Sequence, residues 1–333
     1  MEEKLLSIVV PVYKVEPYID KCLSSLVLEN PSLMNRLEVI IVNDGTPDNS
    51  AEMSRAYVKR YPATFRQIDK ENGGHGSAWN VGLKEAKGKY LRFLDSDDWF
   101  TDLDRLMEDL KGCDADIVFN PFIKELVYEG RTETVPVPPG PSSITRIDPS
   151  VWGTFRWGYF NVNFWGVTYK TAILKPLYPL FAEKTMYDDF ILTWAPLVYG
   201  RTYATLDYPV YHYLIGRPGQ SMSATQQRKG AISYAKCFEQ YESVWNRVAD
   251  NPIPQDLSDC IRVAIATYAR FIFVYMLYLP YEEAKKRMAH LWDRYVKNIE
   301  SKSKLEKRYA AFPFFLFFAT EQFRIRVLKR LVK

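Results

Sequence analysis

Over the first 120 residues, short apolar runs and helically spaced segments take turns, and that alternation narrows the possible folds more than any other feature. Leu5–Pro11 (LLSIVVP) is an apolar, β-branched run ending at proline, which predicts a buried strand. Glu16–Glu29 then has helical spacing, with Tyr18, Ile19, Cys22, Leu23 and Leu26 on one side. Leu37–Val42 (LEVIIV) predicts a second strand, stopped by the turn signal Asn43-Asp44-Gly45. Asp48-Asn49-Ser50 can cap a helix running to about Tyr61. A weaker strand near Phe65–Ile68 leads to the glycine cluster Asn72-Gly73-Gly74-His75-Gly76, then a helix over about Ser77–Ala86. Strand Tyr90–Leu94 follows and ends in Asp95-Ser96-Asp97-Asp98. Strands alternating with helices at this spacing predict an α/β fold built on a mainly parallel sheet wound on both sides. Ligands of such sheets bind beyond the carboxyl ends of the strands, and polar residues follow three of those ends: Tyr13 to Glu16, Asp44, and Asp95 to Asp98.

After about Pro121 the alternation fades. Val135–Pro149 holds five prolines and reads as an irregular excursion. Trp152–Leu174 is rich in Trp, Phe and Tyr, Thr185–Tyr199 reads as a helix, and from Gly230 onward the chain is helical and basic. An ordinary hydrophobic share of 47% with 15% aromatic residues excludes disorder as the main state. Four cysteines with no CxxC exclude a disulfide scaffold and suit a reducing compartment.

Asp95-Ser96-Asp97-Asp98 places three carboxylates in four residues at a strand end, a group that repels itself unless solvated or neutralised. In extended chain Asp95 and Asp97 point one way and Asp98 the other, and carboxylates so presented hold Mg²⁺ or Mn²⁺ together with substrate phosphates. An acidic turn or helix cap before Thr101 is the plain alternative, and placement after YLRFL favours the metal. Asp44 can accept a hydrogen bond from a base N–H, or can form an Asx turn with Gly45 and Thr46. Gly74-His75-Gly76 is GxG, but Trp79 stands at the third glycine position of GxGxxG, a poor match to the dinucleotide fingerprint. The cluster still permits either a close backbone approach to a phosphate or sugar, or a tight turn. Tyr187-Asp188-Asp189-Phe190 puts two acids at a helix start, where at most one faces a site and helix capping is the plain reading of both. The loop Tyr211–Ser221 brings Arg217 and a serine hydroxyl together, a sensible pair for phosphate. His75 and His212 read as hydrogen-bonded rather than metal-ligating.

In order, these pieces resemble the family 2 glycosyltransferases, the inverting group with the GT-A fold. The matching residues are Ser7–Tyr13 with Glu16, Val42–Ser50, Asn72-Gly73-Gly74, Ala78–Leu83, Tyr90–Trp99, Tyr187–Phe190, and Arg217 with Ser221, covering about residues 5–222. The resemblance implies that Pro11, Val12, Tyr13 and Asp44 hold uracil or another base, with Glu16 and Gly74 also binding the nucleotide-sugar. It implies that Asp95, Ser96, Asp97 and Asp98 form the DxD element for metal and nucleotide-sugar. Asp189 would be the catalytic base, and Arg217 and Ser221 the loop over the pyrophosphate. Asn43 stands where Asp is frequent, Asp188 replaces a usual Glu, and Trp79 replaces a commonly found Arg. With a metal-bound nucleoside diphosphate as leaving group, one base suffices and no general acid is needed, whereas a glycoside hydrolase needs a second carboxyl.

The resulting expectation is a metal-dependent inverting glycosyltransferase, taking a nucleotide-sugar such as a UDP-sugar and a saccharide or lipid-linked saccharide acceptor. Residues 1–225 would form its catalytic domain, divided near residue 120 into nucleotide and acceptor halves, and 226–333 a helical basic region. The alternatives are a sugar-phosphate nucleotidyltransferase, which needs a glycine-rich basic loop where Pro11–Glu16 stands, and a silent saccharide-binding or scaffold protein. The net charge of +4 divides into +10 over residues 284–333 and −6 over the rest. Phe312–Phe318 followed by Glu321–Lys333 reads as a basic amphipathic element on an anionic membrane, with packing on protein as the alternative. No nucleic-acid motif accompanies the charge. Met1-Glu2-Glu3-Lys4 leads straight into a short apolar run, so no signal peptide is expected, and no apolar stretch approaches a bilayer span. A cytoplasmic enzyme peripheral to the membrane fits these signs.

Overall fold

The apolar runs near the amino end become neighbouring strands of one sheet. In a computed structural model, which describes residues 3–137, 143–147, 164–217, 224–276 and 279–291, the chain divides into two units. One comprises Met1–Lys184 with Asp189–Pro218, the other Thr185–Asp188 with Gly219–Lys333.

The first unit runs β1 (Leu6–Val12), α1 (Ile19–Ser24), α2 (Pro31–Arg36), β2 (Leu37–Asn43), α3 (Ser50–Arg60), β3 (Phe65–Asp69), α4 (His75–Glu85) and β4 (Tyr90–Phe93). It continues with β5 (Trp99–Phe100), α5 (Leu103–Gly112), β6 (Ile117–Phe119), β7 (Phe122–Leu126), β8 (Arg131–Val135) and β9 (Thr145–Arg146). Then come β10 (Val167–Lys170), α6 (Thr171–Leu174), β11 (Thr202–Thr205) and β12 (Tyr211–Ile215). Every residue of β1 and β2 is buried, as their apolar composition requires. They pair in parallel from Leu6↔Leu37 to Val12↔Asn43, with β3 parallel outside β2 and β4 parallel on the other side of β1.

Among the described residues the main sheet has the order β3-β2-β1-β4-β10-β6-β11-β9. It is mixed rather than simply parallel, because β10 runs antiparallel between β4 and β6 and β9 runs antiparallel to β11. A second sheet, β5-β12-β7-β8, combines a parallel β12–β7 pair with antiparallel edges. Part of it comes from the stretch after Pro121 in which the alternation fades.

Polar groups also hold the sheet. Ser7 faces Glu38 across β1–β2, and its hydroxyl donates to the Glu38 carboxylate at 2.5 Å. Glu38, buried, also accepts from Arg66 Nε at 3.2 Å and from the Lys87 amide at 2.8 Å. Such a carboxylate is tolerated in a core only because its acceptor positions are filled. Helix α4 lies close on β1: a Cβ on Gly82 would sit 2.1 Å from Val9 Cγ1. Gly82→Ala is therefore expected to cost about 1–3 kcal/mol of stability by overpacking, read as a lower urea midpoint at unchanged slope.

Two expectations about local structure are corrected. Thr185–Tyr199 is not an α-helix: it holds 3-10 segments at Asp188–Thr193 and Ala195–Val198. Lys184 just before it and Tyr187 within it have positive φ, and Pro196 also sits within it, which prevents a continuous ladder. Within Val135–Pro149, Val135 ends β8 and Thr145–Arg146 forms β9, so the excursion is not wholly irregular.

The second unit carries α7 (Ala224–Val248), α8 (Gln255–Met276) and α9 (Tyr281–Leu291). An aromatic cluster fills it: Tyr187 stacks on Tyr234 at 4.6 Å between ring centres, and Tyr268 packs against Tyr234 and Tyr241. Among the described residues no helix is long and apolar enough to cross a membrane. The tail Phe312–Lys333 and its predicted amphipathic element lie outside the described residues, as do Trp152–163 and Ser221.

Candidate active site

The strand order turns back at β1: β2 lies on one side of it and β4 on the other. A crevice at such a switch point is where open α/β sheets bind ligands, and the acidic cluster follows β4 at that place. The four residues are not extended, as expected from alternation, but turned, with the Asp98 amide donating to the Asp95 carbonyl at 3.0 Å. The turn brings one oxygen each of Asp95, Asp97 and Asp98 within 4.8 Å of one another.

Strand β12 holds this cluster in place. The Tyr211 hydroxyl donates to Asp98 Oδ2 at 2.5 Å and accepts from the Asp95 amide at 3.2 Å. The Leu214 amide donates to Asp98 Oδ1 at 2.8 Å. Just past the strand, Arg217 forms an ion pair with Asp97 and lies 5.5 Å from the Tyr18 ring centre. From the other side, His75 Nε2 is 3.0 Å from Asp95 Oδ1. Burial, with the charges of Asp97 and Asp95, pushes Asp98 well above the usual carboxylate range. Burial and Asp95 also raise Asp97, against the opposing pull of Arg217.

The donor set fits a hard divalent cation: three carboxylates converge and carry more negative charge than Arg217 alone offsets. Asp98 presents both oxygens to protein donors. Asp95 and Asp97 each keep one oxygen that no other residue's donor occupies among the described residues. Those two acids are thus the better placed to hold the ion, and Asp98 is the better placed to fix the turn.

Asp44, at the end of β2, is buried and its carboxylate faces the glycine cluster. It accepts from Lys70 Nζ at 2.6 Å and from the amides of Gly73 and Gly74 at 2.9 and 2.8 Å. Gly74 sits at φ 86°, a conformation open to glycine, and this aims its amide at Asp44. The Asx contact in that turn is made instead by Asn43, whose Oδ1 accepts from the Thr46 amide at 3.0 Å. Because His75 follows Gly74, the start of α4 ties the end of β2 to the acidic cluster after β4.

The other candidates spread along the same edge. Pro11 and Val12 are buried at the end of β1, and Tyr13 beyond them is exposed. Glu16, on the surface, accepts from the Asn49 amide at 3.2 Å, while Asp48 accepts from the Glu16 amide and from Ser50. Ser96 is buried inside the turn. Asp189 belongs to the first unit and Asp188 to the second. The chain leading to Asp189 is clamped to α4: Asn80 Oδ1 accepts from the Leu180 and Phe181 amides, and its Nδ2 donates to the Phe181 carbonyl. The Lys184 amide reaches the Gly73 carbonyl at 2.7 Å. Burial raises the Tyr213 phenol above its usual value, and the charges of Asp98, Asp95, Asp189 and Asp97 act in the same direction.

Sequence reasoning missed Tyr211 and Asn80 as site-building residues. The alternating aromatic pattern Tyr211-His212-Tyr213 before Arg217 was the available sign of a strand with one face at a site. His212, on the other face, is hydrogen-bonded to Glu125 and Thr101, as the plain reading had it. Trp79 is a core residue, packed against Phe93, Phe164 and Phe181.

Comparison with known proteins places these features in context. The profile of Glycosyl transferase family 2 matches residues 7–158. A Bacillus subtilis protein described as "Uncharacterized glycosyltransferase EpsJ" is 43% identical over 123 residues, which span 36% of this chain and 35% of that protein. The chain covers less than two thirds of the length of each of the first curated relatives it matches. Two solved structures share the fold. Staphylococcus aureus TarS 1-349 in complex with UDP-GlcNAc has a TM-score of 0.53 at 20% identity, over 92% of this chain and 91% of that one. The mannosyltransferase PcManGT of Pyrobaculum calidifontis, in complex with GDP-Man and Mn²⁺, has a TM-score of 0.52 at 16% identity, over 99% and 88%.

Proposed function

Starting from a chain that carries a glycosyl transferase family 2 domain, we propose an inverting, metal-assisted glycosyltransferase with a GT-A arrangement of its sheet unit. It takes a nucleotide-sugar donor, a UDP-sugar in the first instance, and a saccharide or lipid-linked saccharide acceptor. The observation that carries this reading is the convergence of Asp95, Asp97 and Asp98 within 4.8 Å beyond the turning point of the sheet.

Asp95 and Asp97 would hold Mn²⁺ or Mg²⁺, with Asp98 anchored by Tyr211 and Leu214 behind them. A divalent cation there supplies charge stabilisation for the departing nucleoside diphosphate. Arg217, beside Asp97, is a second cation within reach of the same phosphates, and Ser221 would follow it in the loop. Tyr13, with the backbone of Pro11 and Val12, borders the place for the base. Asp44 supports that place through the Gly73–Gly74 amides, and Glu16 by linking the loops after β1 and β2. Asp189 takes the proton from the acceptor hydroxyl as that oxygen attacks the anomeric carbon from the face opposite the leaving group, so configuration inverts. No carboxylic acid need protonate the leaving group.

The test is a thermal-shift panel of UDP-, GDP- and dTDP-sugars with Mn²⁺ or Mg²⁺. A true donor raises the melting temperature only when the metal is present. A flat response across the panel would sink the reading.

The basic segment Glu321–Lys333 supports, on its sequence pattern, contact with an anionic cytoplasmic membrane face. Ending the chain at Phe312 is expected to abolish sedimentation with phosphatidylglycerol-containing vesicles while leaving nucleotide-sugar binding intact. Equal sedimentation of the shortened and full chains would remove that role.

A further inference from the structure

Strand β12 does more than anchor the acidic cluster. Successive residues of a strand face opposite ways, so Tyr213 shares the face of Tyr211, whose hydroxyl sits on Asp98. The Tyr213 ring is stacked on Trp165, with centres 4.1 Å apart and planes 19° from parallel. Trp165 is itself held: its carbonyl accepts from Nη2 of the buried Arg92 at 2.7 Å, and its ring packs on Phe122 and Phe164. The phenol is therefore fixed in direction, while Tyr213 as a residue is only half-buried and its hydroxyl makes no hydrogen bond among the described residues. Burial holds the proton on that oxygen well above the usual phenol value, and Asp98, Asp95, Asp189 and Asp97 act in the same direction.

We propose that Tyr213 is a substrate-contacting residue whose hydroxyl donates a hydrogen bond to the sugar being transferred, with Trp165 as the stacked support that aims it. The inference rests on the glycosyltransferase reading above. The diphosphate end of a donor needs cations, which the Asp95–Asp97 pair and Arg217 provide for. The acceptor hydroxyl needs a base, which Asp189 provides. The Tyr213 hydroxyl, on the strand face of the Tyr211 that holds Asp98, is a neutral donor beside the acidic turn, and what a nucleotide-sugar presents there besides its phosphates is the hydroxyl-bearing ring of the sugar. A fixed hydroxyl there costs little entropy on binding and discriminates between sugars by the position of their own hydroxyl groups.

The experiment is calorimetric titration of the full chain with Mn²⁺, using UDP alone and then UDP-N-acetylglucosamine, UDP-glucose and UDP-galactose. Tyr213→Phe keeps the stacked ring and removes only the hydroxyl. The expected result is unchanged UDP affinity and an affinity about 5- to 10-fold lower for whichever nucleotide-sugar the wild type binds tightest. Unchanged nucleotide-sugar affinity, or an equal loss for UDP and nucleotide-sugar, would overturn the assignment while leaving the glycosyltransferase reading intact. A chain that binds a GDP- or dTDP-sugar instead is titrated with that donor and its free nucleotide in the same way, and a wild-type chain that bound none of these ligands would overturn both.

Discussion

Replacing Asp189 by Asn is expected to lower transfer by about 100- to 10,000-fold, the usual worth of a positioned general base. The nucleotide-sugar thermal shift should be nearly unchanged. The two readouts should separate because Asp189 lies in a different segment from the Asp95–Asp98 turn, one whose preceding residues are held by Asn80 and the Lys184–Gly73 contact. The amide is close in size to the carboxylate, so packing is kept while the proton acceptor is lost. Near-normal turnover by Asp189→Asn would refute the base assignment, and Asp188, buried in the second unit, would not be its replacement.

Asp95→Asn is expected to remove the stabilisation that a divalent cation gives. For the parent chain, a cation at 100 times its dissociation constant adds about 2.7 kcal/mol, and the variant should show almost none of this. Without metal the variant should be at least as stable as the parent, since Asp95 charge is one cause of the raised Asp97 and Asp98 values. In the metal-free chain those two acids hold their protons to a higher pH when folded than when unfolded. Ionising them thus opposes folding, and metal-free stability falls as pH rises above the unfolded carboxylate value of about 3.9. The cation reverses this, because it competes with protons for the same oxygens. Melting curves at pH 5 and pH 7.5, with and without Mn²⁺, should therefore show a larger metal increment at the higher pH. An equal increment in Asp95→Asn would show that the ion binds elsewhere.

Legibility from sequence follows the range of the interactions involved. The β1, β2 and β4 runs are readable because a fully buried strand must be apolar along its whole length, and the acids that follow them stand out against that background. Asp44 and Asp95 are readable as members of one edge for the same reason. The second sheet is not, because β7 is half-buried and β8 largely exposed, and their residues (FIKEL and RTETV) carry little strand periodicity of burial. Nor is the helical reading of Thr185–Tyr199 sustained: its apolar spacing is real, but the backbone there is set by positive φ values at Lys184 and Tyr187. Tyr211 was invisible as a partner of Asp98 because nothing local in either segment refers to the other.

That last separation has a consequence for how the protein comes into being. The acids at 95–98 are made early, but Tyr211, Leu214 and Arg217, which restrain them, follow 113, 116 and 120 residues later. A nascent chain halted at residue 158, where the family match ends, would carry all three carboxylates with none of these β12-side restraints. Contacts of such long range bear the entropy of closing a long loop before they reward it, which slows their formation. On the glycosyltransferase reading, the acidic turn therefore gains the restraints that shape it only once nearly the whole sheet unit has been made.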